Sequence, residues 1–167
     1  SEDRKSMRIE LRDDVKWHDG RPFTSADVLF TIQAMKHKDT ASTEAGRVAW
    51  IGEVRAEGDH VVVITFPKPE HAPEDKLHFK ILPAHAFAGP AVQRNDPFRT
   101  KPIGTGPYKV ASFNDDNSVT LARNLEYWGP TKLDELVMRE IADKNYQSKL
   151  LTYESVEALV RVLPRDL

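Results

Sequence analysis

Cysteine is absent from the 167 residues. Its absence excludes disulfides, thiolate metal sites and a cysteine nucleophile. The compartment stays open, because a cysteine-free chain is stable in either redox setting. Long apolar runs are missing too. Even a run such as Val61-Val-Val-Ile64, which none exceeds, is far short of the ~20 residues that span a bilayer, so no direct membrane insertion is expected. The opening Ser1-Glu-Asp-Arg-Lys5 has no apolar stretch of the signal-peptide kind. Charge of one sign is nowhere concentrated: 24 basic and 26 acidic residues are well mixed and leave a net charge of −2. No basic stripe offers a nucleic-acid footprint, and no acidic tail invites a basic partner. Catalytic signatures are also lacking. There is no Gly-x-Ser-x-Gly elbow and no phosphate loop with Gly-Lys-Ser/Thr. The histidines at 18, 37, 60, 71, 78 and 85 form no His-Glu-x-x-His pair. The near-sevenfold spacing of His71, His78 and His85 crosses Pro73 and Pro83, and surface or turn positions explain these residues more simply than a metal does. The expectation is no catalytic residue, no metal and no cofactor, which disfavours an enzyme.

What the chain has is the composition of a folded protein, 40% hydrophobic and 30% charged, with no low-complexity run. Met7–Arg12 alternates as a half-buried strand, and Val15–Trp17 is extended up to an Asp19-Gly20 turn. Thr24 and Asp27 are spaced to cap a helix running to about Lys36, with Val28, Leu29, Ile32 and Met35 on one face. Segments 51–57 and 60–66 form a predicted hairpin around Gly58-Asp59, its second strand central because both faces are apolar. Leu77–Leu82 fits a short strand or a buried turn, and Pro83–Phe87 one helical turn opened by proline. Tyr108–Phe113 and Val119–Arg123 form a second hairpin around Asp115-Asp-Asn117, a turn without the glutamate and spacing of a calcium loop. Leu133–Ile141 is a predicted strand, Asp143–Tyr153 a helix, Leu159–Leu163 a strand, and Pro164–Leu167 the opening of a further helix that the chain does not continue. That unfinished helix start is what a piece of a longer chain would show.

Between the two halves lies Lys101-Pro-Ile-Gly-Thr-Gly-Pro-Tyr108. Its prolines fix φ and bias Lys101 and Gly106 toward extended geometry, while its glycines reach angles closed to other residues. Such a stretch makes a poor helix and a poor central strand. On local chemistry it is a loop leading into a strand, and in context it is an extended crossing between packed units, with Gly104, Thr105, Gly106, Pro107 and Tyr108 as the crossing or hinge residues.

Three segments together resemble a known family. Lys16-Trp-His-Asp-Gly-Arg-Pro-Phe-Thr-Ser-Ala-Asp-Val-Leu-Phe30 is similar to the signature of the family 5 extracellular solute-binding proteins, the peptide- and nickel-binding components of ABC importers. Pro102–Tyr108 is similar to a second signature of that family. Leu121-Ala-Arg-Asn-Leu-Glu-Tyr-Trp-Gly129, followed by Leu133–Arg139, resembles a third, with Leu125 where the family usually has proline. Ser155-Val-Glu-Ala158 departs from the family's usual Ser-Gly-Glu-Val-Asp. The resemblance covers nearly the whole chain from about Met7.

It implies an α+β fold, with a mixed sheet and packed helices, forming a partial lobe of a type II periplasmic-binding-protein fold. Residues 1–100 would be a small extra domain of the first lobe, and 101–167 the crossing strand and part of that lobe's core. It implies a fragment of an extracytoplasmic receptor, periplasmic or attached to the cell envelope, that captures a peptide or other small solute for ABC transporter permease subunits. Lobe closure would enclose the solute. Phe30 and Trp50 would be candidate pocket aromatics and Arg47 a candidate partner for an anionic group. For the two aromatics core packing is the favoured alternative, and for Arg47 a solvated loop. Trp17 and Trp128 are assigned to packing. A ligand-sensing regulatory protein, or a free-standing interaction domain reusing the fold, stays open as an alternative function.

Overall fold

The computed structural model describes residues 3–40 and 45–140. The elements expected at Asp143–Tyr153, Leu159–Leu163 and Pro164–Leu167 lie outside the described residues.

The first unit is a three-stranded antiparallel sheet of order β1-β3-β2, from β1 (Ser6–Glu10), β2 (Val54–Ala56) and β3 (Val61–Thr65), with one helix, α1 (Ser25–Lys36), against it. β3 is central, as its two apolar faces predict: Val62, Val63 and Ile64 are all buried. The register sets Ile64 opposite both Met7 and Val54. Val28, Ile32 and Met35 of α1 pack with Val62, Ile64, Phe66, Val48 and Ile51 into one apolar cluster. Each such side chain contributes roughly 1.5–3 kcal/mol when fully buried.

Local chemistry sets the ends of α1. Thr24 is the N-cap, and the Asp27 Oδ2 accepts its backbone N–H at 2.9 Å. Positive charge in the last turn suits the helix dipole, and Lys36 adds to this by donating to the Ile51 and Gly52 carbonyls at 2.6 and 2.9 Å. Burial holds the Lys36 pKa below the usual lysine value. The β2–β3 turn passes through Gly58 at φ +80°, and its Gly58 and Asp59 carbonyls accept from the Ser25 hydroxyl and N–H at 2.8 and 2.7 Å. Hairpin and helix start are thereby tied together.

Differences from expectation are local. β2 is shorter than 51–57, because Ile51 turns into the core and its N–H goes back to the Val48 carbonyl. Leu77–Leu82 forms no strand but a strap along α1, with the Leu82 N–H donating to Thr31 Oγ1 at 2.8 Å. Pro83 caps the 3₁₀ turn Ala84–Ala86 and does not occupy its first position. The 3₁₀ turns Ala45–Val48, Pro73–Lys76 and Pro97–Arg99 carry no strong sequence signal.

The second unit is an antiparallel meander, β4 (Tyr108–Phe113), β5 (Ser118–Arg123) and β6 (Glu135–Arg139), with a register shift between Val110 and Ser112. Within the expected α+β class, both sheets among the described residues pair antiparallel throughout, where a mixed sheet was expected. The β4–β5 turn has Asn117 at φ +61°, a left-handed angle that asparagine tolerates. Asp116 accepts there from the Ser118 N–H and hydroxyl and from Arg139. These partners account for the acidic turn as a turn. β6 starts later than Leu133, whose N–H donates instead to the Tyr108 hydroxyl.

Candidate functional site

The two units are joined where the first and second signature segments touch, at His18 and Gly104–Gly106. The Trp17 N–H donates to the Arg21 carbonyl and the Gly20 N–H to the Trp17 carbonyl, both at 2.8 Å, closing a turn with Gly20 at φ +86°. Trp17 is 3% exposed, and its indole N–H donates to Asp27 Oδ2 at 3.1 Å. Asp27 is also buried, and its Oδ1 accepts from the Ala84 N–H at 2.8 Å. One carboxylate therefore organises the signature turn, the helix cap and the 83–86 segment. The assignment of Trp17 to packing holds.

His18 projects from that turn onto the crossing. Its N–H donates to the Gly104 carbonyl at 2.8 Å. Its ring Nδ1 lies 3.1 Å from the Gly104 N–H and its Nε2 lies 3.0 Å from the Gly106 carbonyl. A Cβ on Gly104 would sit 3.4 Å from His18 Cε1, so the bare backbone lets the ring lie close. The Gly106 carbonyl accepts a second bond, from the Asn124 side-chain amide at 3.1 Å. Asn124 is 5% exposed, and its N–H donates to the Pro107 carbonyl at 2.8 Å. Thr105, Pro107 and Tyr108 are half-buried along the same crossing. Two further contacts bridge the units: Lys16 Nζ to Glu126 at 2.5 Å, and the Arg12 guanidinium 4.3 Å over the Trp128 ring. Trp128 is 48% exposed, so it serves as a surface platform where core packing was expected.

Electrostatics at the turn follow from these contacts. Burial is the largest influence on His18 and lowers its pKa; the Gly106 carbonyl opposes it, Lys109 adds to it and Asp19 opposes it. Asp19 is held below the usual carboxylate value: its partial burial is outweighed by the Arg21 N–H and by His85, whose Nε2 lies 2.7 Å from Asp19 Oδ2.

The other candidates fall into two separate places. Phe30 stacks on Phe87 with ring centroids 5.3 Å apart, and Phe87 meets Phe98 at 5.0 Å. Arg47 and Trp50 come together: the Trp50 indole donates to the Arg47 carbonyl at 2.8 Å and its ring lies 5.3 Å from Phe66. The Arg47 guanidinium donates to the His78 carbonyl at 2.9 Å. An open cleft of about 410 Å³ lies beside β1, lined by Arg4, Arg8, Phe66 and Glu70 among others, and none of the three candidates lines it. No group of three or more potential metal ligands clusters among the described residues, and no described helix is long and apolar enough to cross a membrane.

The model of the bacterial extracellular solute-binding proteins, family 5, matches residues 1–164. The chain belongs to that family. A Brucella ovis protein named as an ABC transporter peptide-binding protein is 38% identical over 133 residues, covering 77% of this chain and 25% of its own length. Among solved structures, NikZ from Campylobacter jejuni in complex with Ni(L-His) superposes with a TM-score of 0.83 at 32% identity, over 93% of this chain and 32% of that one. The oligopeptide-binding protein AppA from Bacillus subtilis, in complex with a nonapeptide, gives 0.82 at 25% identity, over 92% of this chain and 32% of that one. The chain thus spans about a quarter of the curated relative and about a third of these structures. The α+β, partial-lobe expectation agrees with these neighbours. Within the family frame, the departure at Leu125 is accommodated at the surface, where that residue is 82% exposed. His18 and Asn124 were not singled out from the sequence as junction residues. The available signal was that each sits inside a signature segment, one at a turn and one at a strand end.

Proposed function

We propose that the chain forms part of the first lobe of an extracytoplasmic solute receptor that captures a peptide or similar small solute for an ABC importer. The family match over nearly the whole chain carries this reading. Residues 1–100 would be the small domain attached to that lobe, and the chain from Lys101 would return into the lobe itself. The separate sheets, with the Gly104–Tyr108 crossing between them gripped by His18 and Asn124, support that division. Catalysis would have no part in the role. Capture would come from lobe closure around a mostly preformed cavity, with a second wall supplied by chain outside these residues. The receptor would work outside the cytoplasmic membrane and hand its solute to permease subunits. The contact of Phe30 with Phe87, which in turn meets Phe98, favours packing for Phe30. Arg47, which is exposed, and Trp50, bonded to its carbonyl, are the candidates for a solute-facing wall.

The test is thermal unfolding of the intact protein carrying this sequence, with di- to nonapeptides and nickel–histidine as probes. A saturable rise in Tm following mass action is expected for at least one probe. The isolated 167-residue chain should show no shift, having one wall only. A flat Tm for the intact protein across all probes would overturn the reading.

A further inference from the structure

The two ring nitrogens of His18 face backbone groups of opposite kind. The Gly104 N–H can only donate, so Nδ1 at 3.1 Å must be bare. The Gly106 carbonyl can only accept, so Nε2 at 3.0 Å must carry the proton. One protonation state satisfies both, the neutral Nε2–H tautomer. An imidazolium would aim Nδ1–H at the Gly104 N–H, donor against donor, and the ring would have to leave the crossing. The Gly106 carbonyl would keep Asn124 alone. We propose that His18 is a protonation-gated clasp: its neutral ring fastens the Trp17–Gly20 turn of the first unit to the Gly104–Gly106 crossing of the second, and its protonation releases that crossing.

The charged neighbours are few. Lys109 faces the ring from β4, and Asp19 lies beside it in the turn, with His85 of the 84–86 segment on Asp19. Lys16 and Glu126 pair with each other at the same junction. The folded chain holds His18 below the ordinary histidine value, burial being the largest cause. The sign follows. The neutral ring's stabilisation is complete above the unfolded pKa of about 6.5, and it is lost as pH falls through the lower folded value. Mildly acidic conditions should therefore loosen the junction before the apolar core of the first unit responds. The inference is independent of which solute, if any, the protein captures.

The test is an NMR titration of the intact protein carrying this sequence, reading the His18 ring nitrogens and the Gly104 amide exchange corrected for intrinsic pH dependence. The Nε2–H tautomer is expected at high pH. The Gly104 exchange should rise roughly tenfold by one pH unit below the His18 midpoint, where about a tenth of the rings remain neutral. His18→Phe should raise Gly104 exchange at every pH and abolish the step, while His85→Gln should leave the step in place. If His18→Phe fails to fold, the titration of the unaltered chain decides alone. An Nδ1–H tautomer, a His18 midpoint at or above 6.5 with an unmoved Gly104 amide, or a step that vanishes with His85→Gln would each overturn the clasp.

Discussion

The two sheets are similar in size and both antiparallel, yet they are held by different means. The first is held by volume: Val48, Val62 and Ile64 are all at 0% exposure, under a helix whose apolar face matches the sheet. In the second, Ser118 and Asn124 are the buried residues among those described, and both are polar. Its cross-strand row Phe113–Val119–Met138 leaves Phe113 and Met138 57% and 59% exposed. Side-chain hydrogen bonds take over there, from Asn114 to Ser118 and Thr120, from Ser118 to Asp116, and from Asn124 to Gly106. The contrast teaches that one chain can draw its order from apolar burial in one place and from polar connectivity in another. The two should fail to different substitutions.

The sharpest way to break the comparison is to remove volume from each side. Ile64→Ala should cost about 2–5 kcal/mol in urea unfolding, the range for a fully buried aliphatic. Val137→Ala, at a position 55% exposed, should cost no more than about 1 kcal/mol. Equal losses would mean the second sheet has a core of its own. Next comes Asp27→Asn, which keeps the shape but exchanges an acceptor for a donor. Three donors, from Trp17, Thr24 and Ala84, converge on that carboxylate, so a loss of roughly 1–3 kcal/mol is expected, with the Trp17 fluorescence altered. Asn124→Ala should cost about 1–2 kcal/mol and speed amide exchange at the Tyr108 end of β4 more than anywhere in β3. Uniform effects would erase the distinction. The smallest effect belongs to Lys16→Ala. The Lys16–Glu126 pair is half exposed on both sides, so the change should stay within about 1 kcal/mol and shrink as salt is raised.

Much of the first unit was legible in the sequence because its signals are local and mutually consistent. Thr24 and Asp27 have capping spacing, the apolar face of α1 repeats with helical period, and Val61–Ile64 is apolar on both faces. The 3₁₀ turns and the strap at 77–82 were not legible, since a hydrogen bond such as Leu82 N–H to Thr31 Oγ1 joins residues 51 apart and leaves no periodic trace. The candidate site divides in the same way. The crossing stood out through its glycines and prolines, but the residues that grip it are distant in sequence: His18 lies 88 positions from Gly106 and Asn124 lies 18. Arg47 and Trp50 were near neighbours from the outset, and the indole-to-carbonyl bond between them is a local one. Trp128 misled because an aromatic is ordinarily core, whereas here a cation from the other unit covers one face of it.

The receptor reading is tested most directly by recovering the native polypeptide from fractionated source cells, with antibody raised against this sequence, and weighing it by native mass spectrometry. An extracytoplasmic polypeptide several times heavier than the 19.0 kDa of this chain is expected. It should carry a small solute that is released on denaturation. A cytoplasmic species near 19.0 kDa without bound solute would contradict the receptor reading.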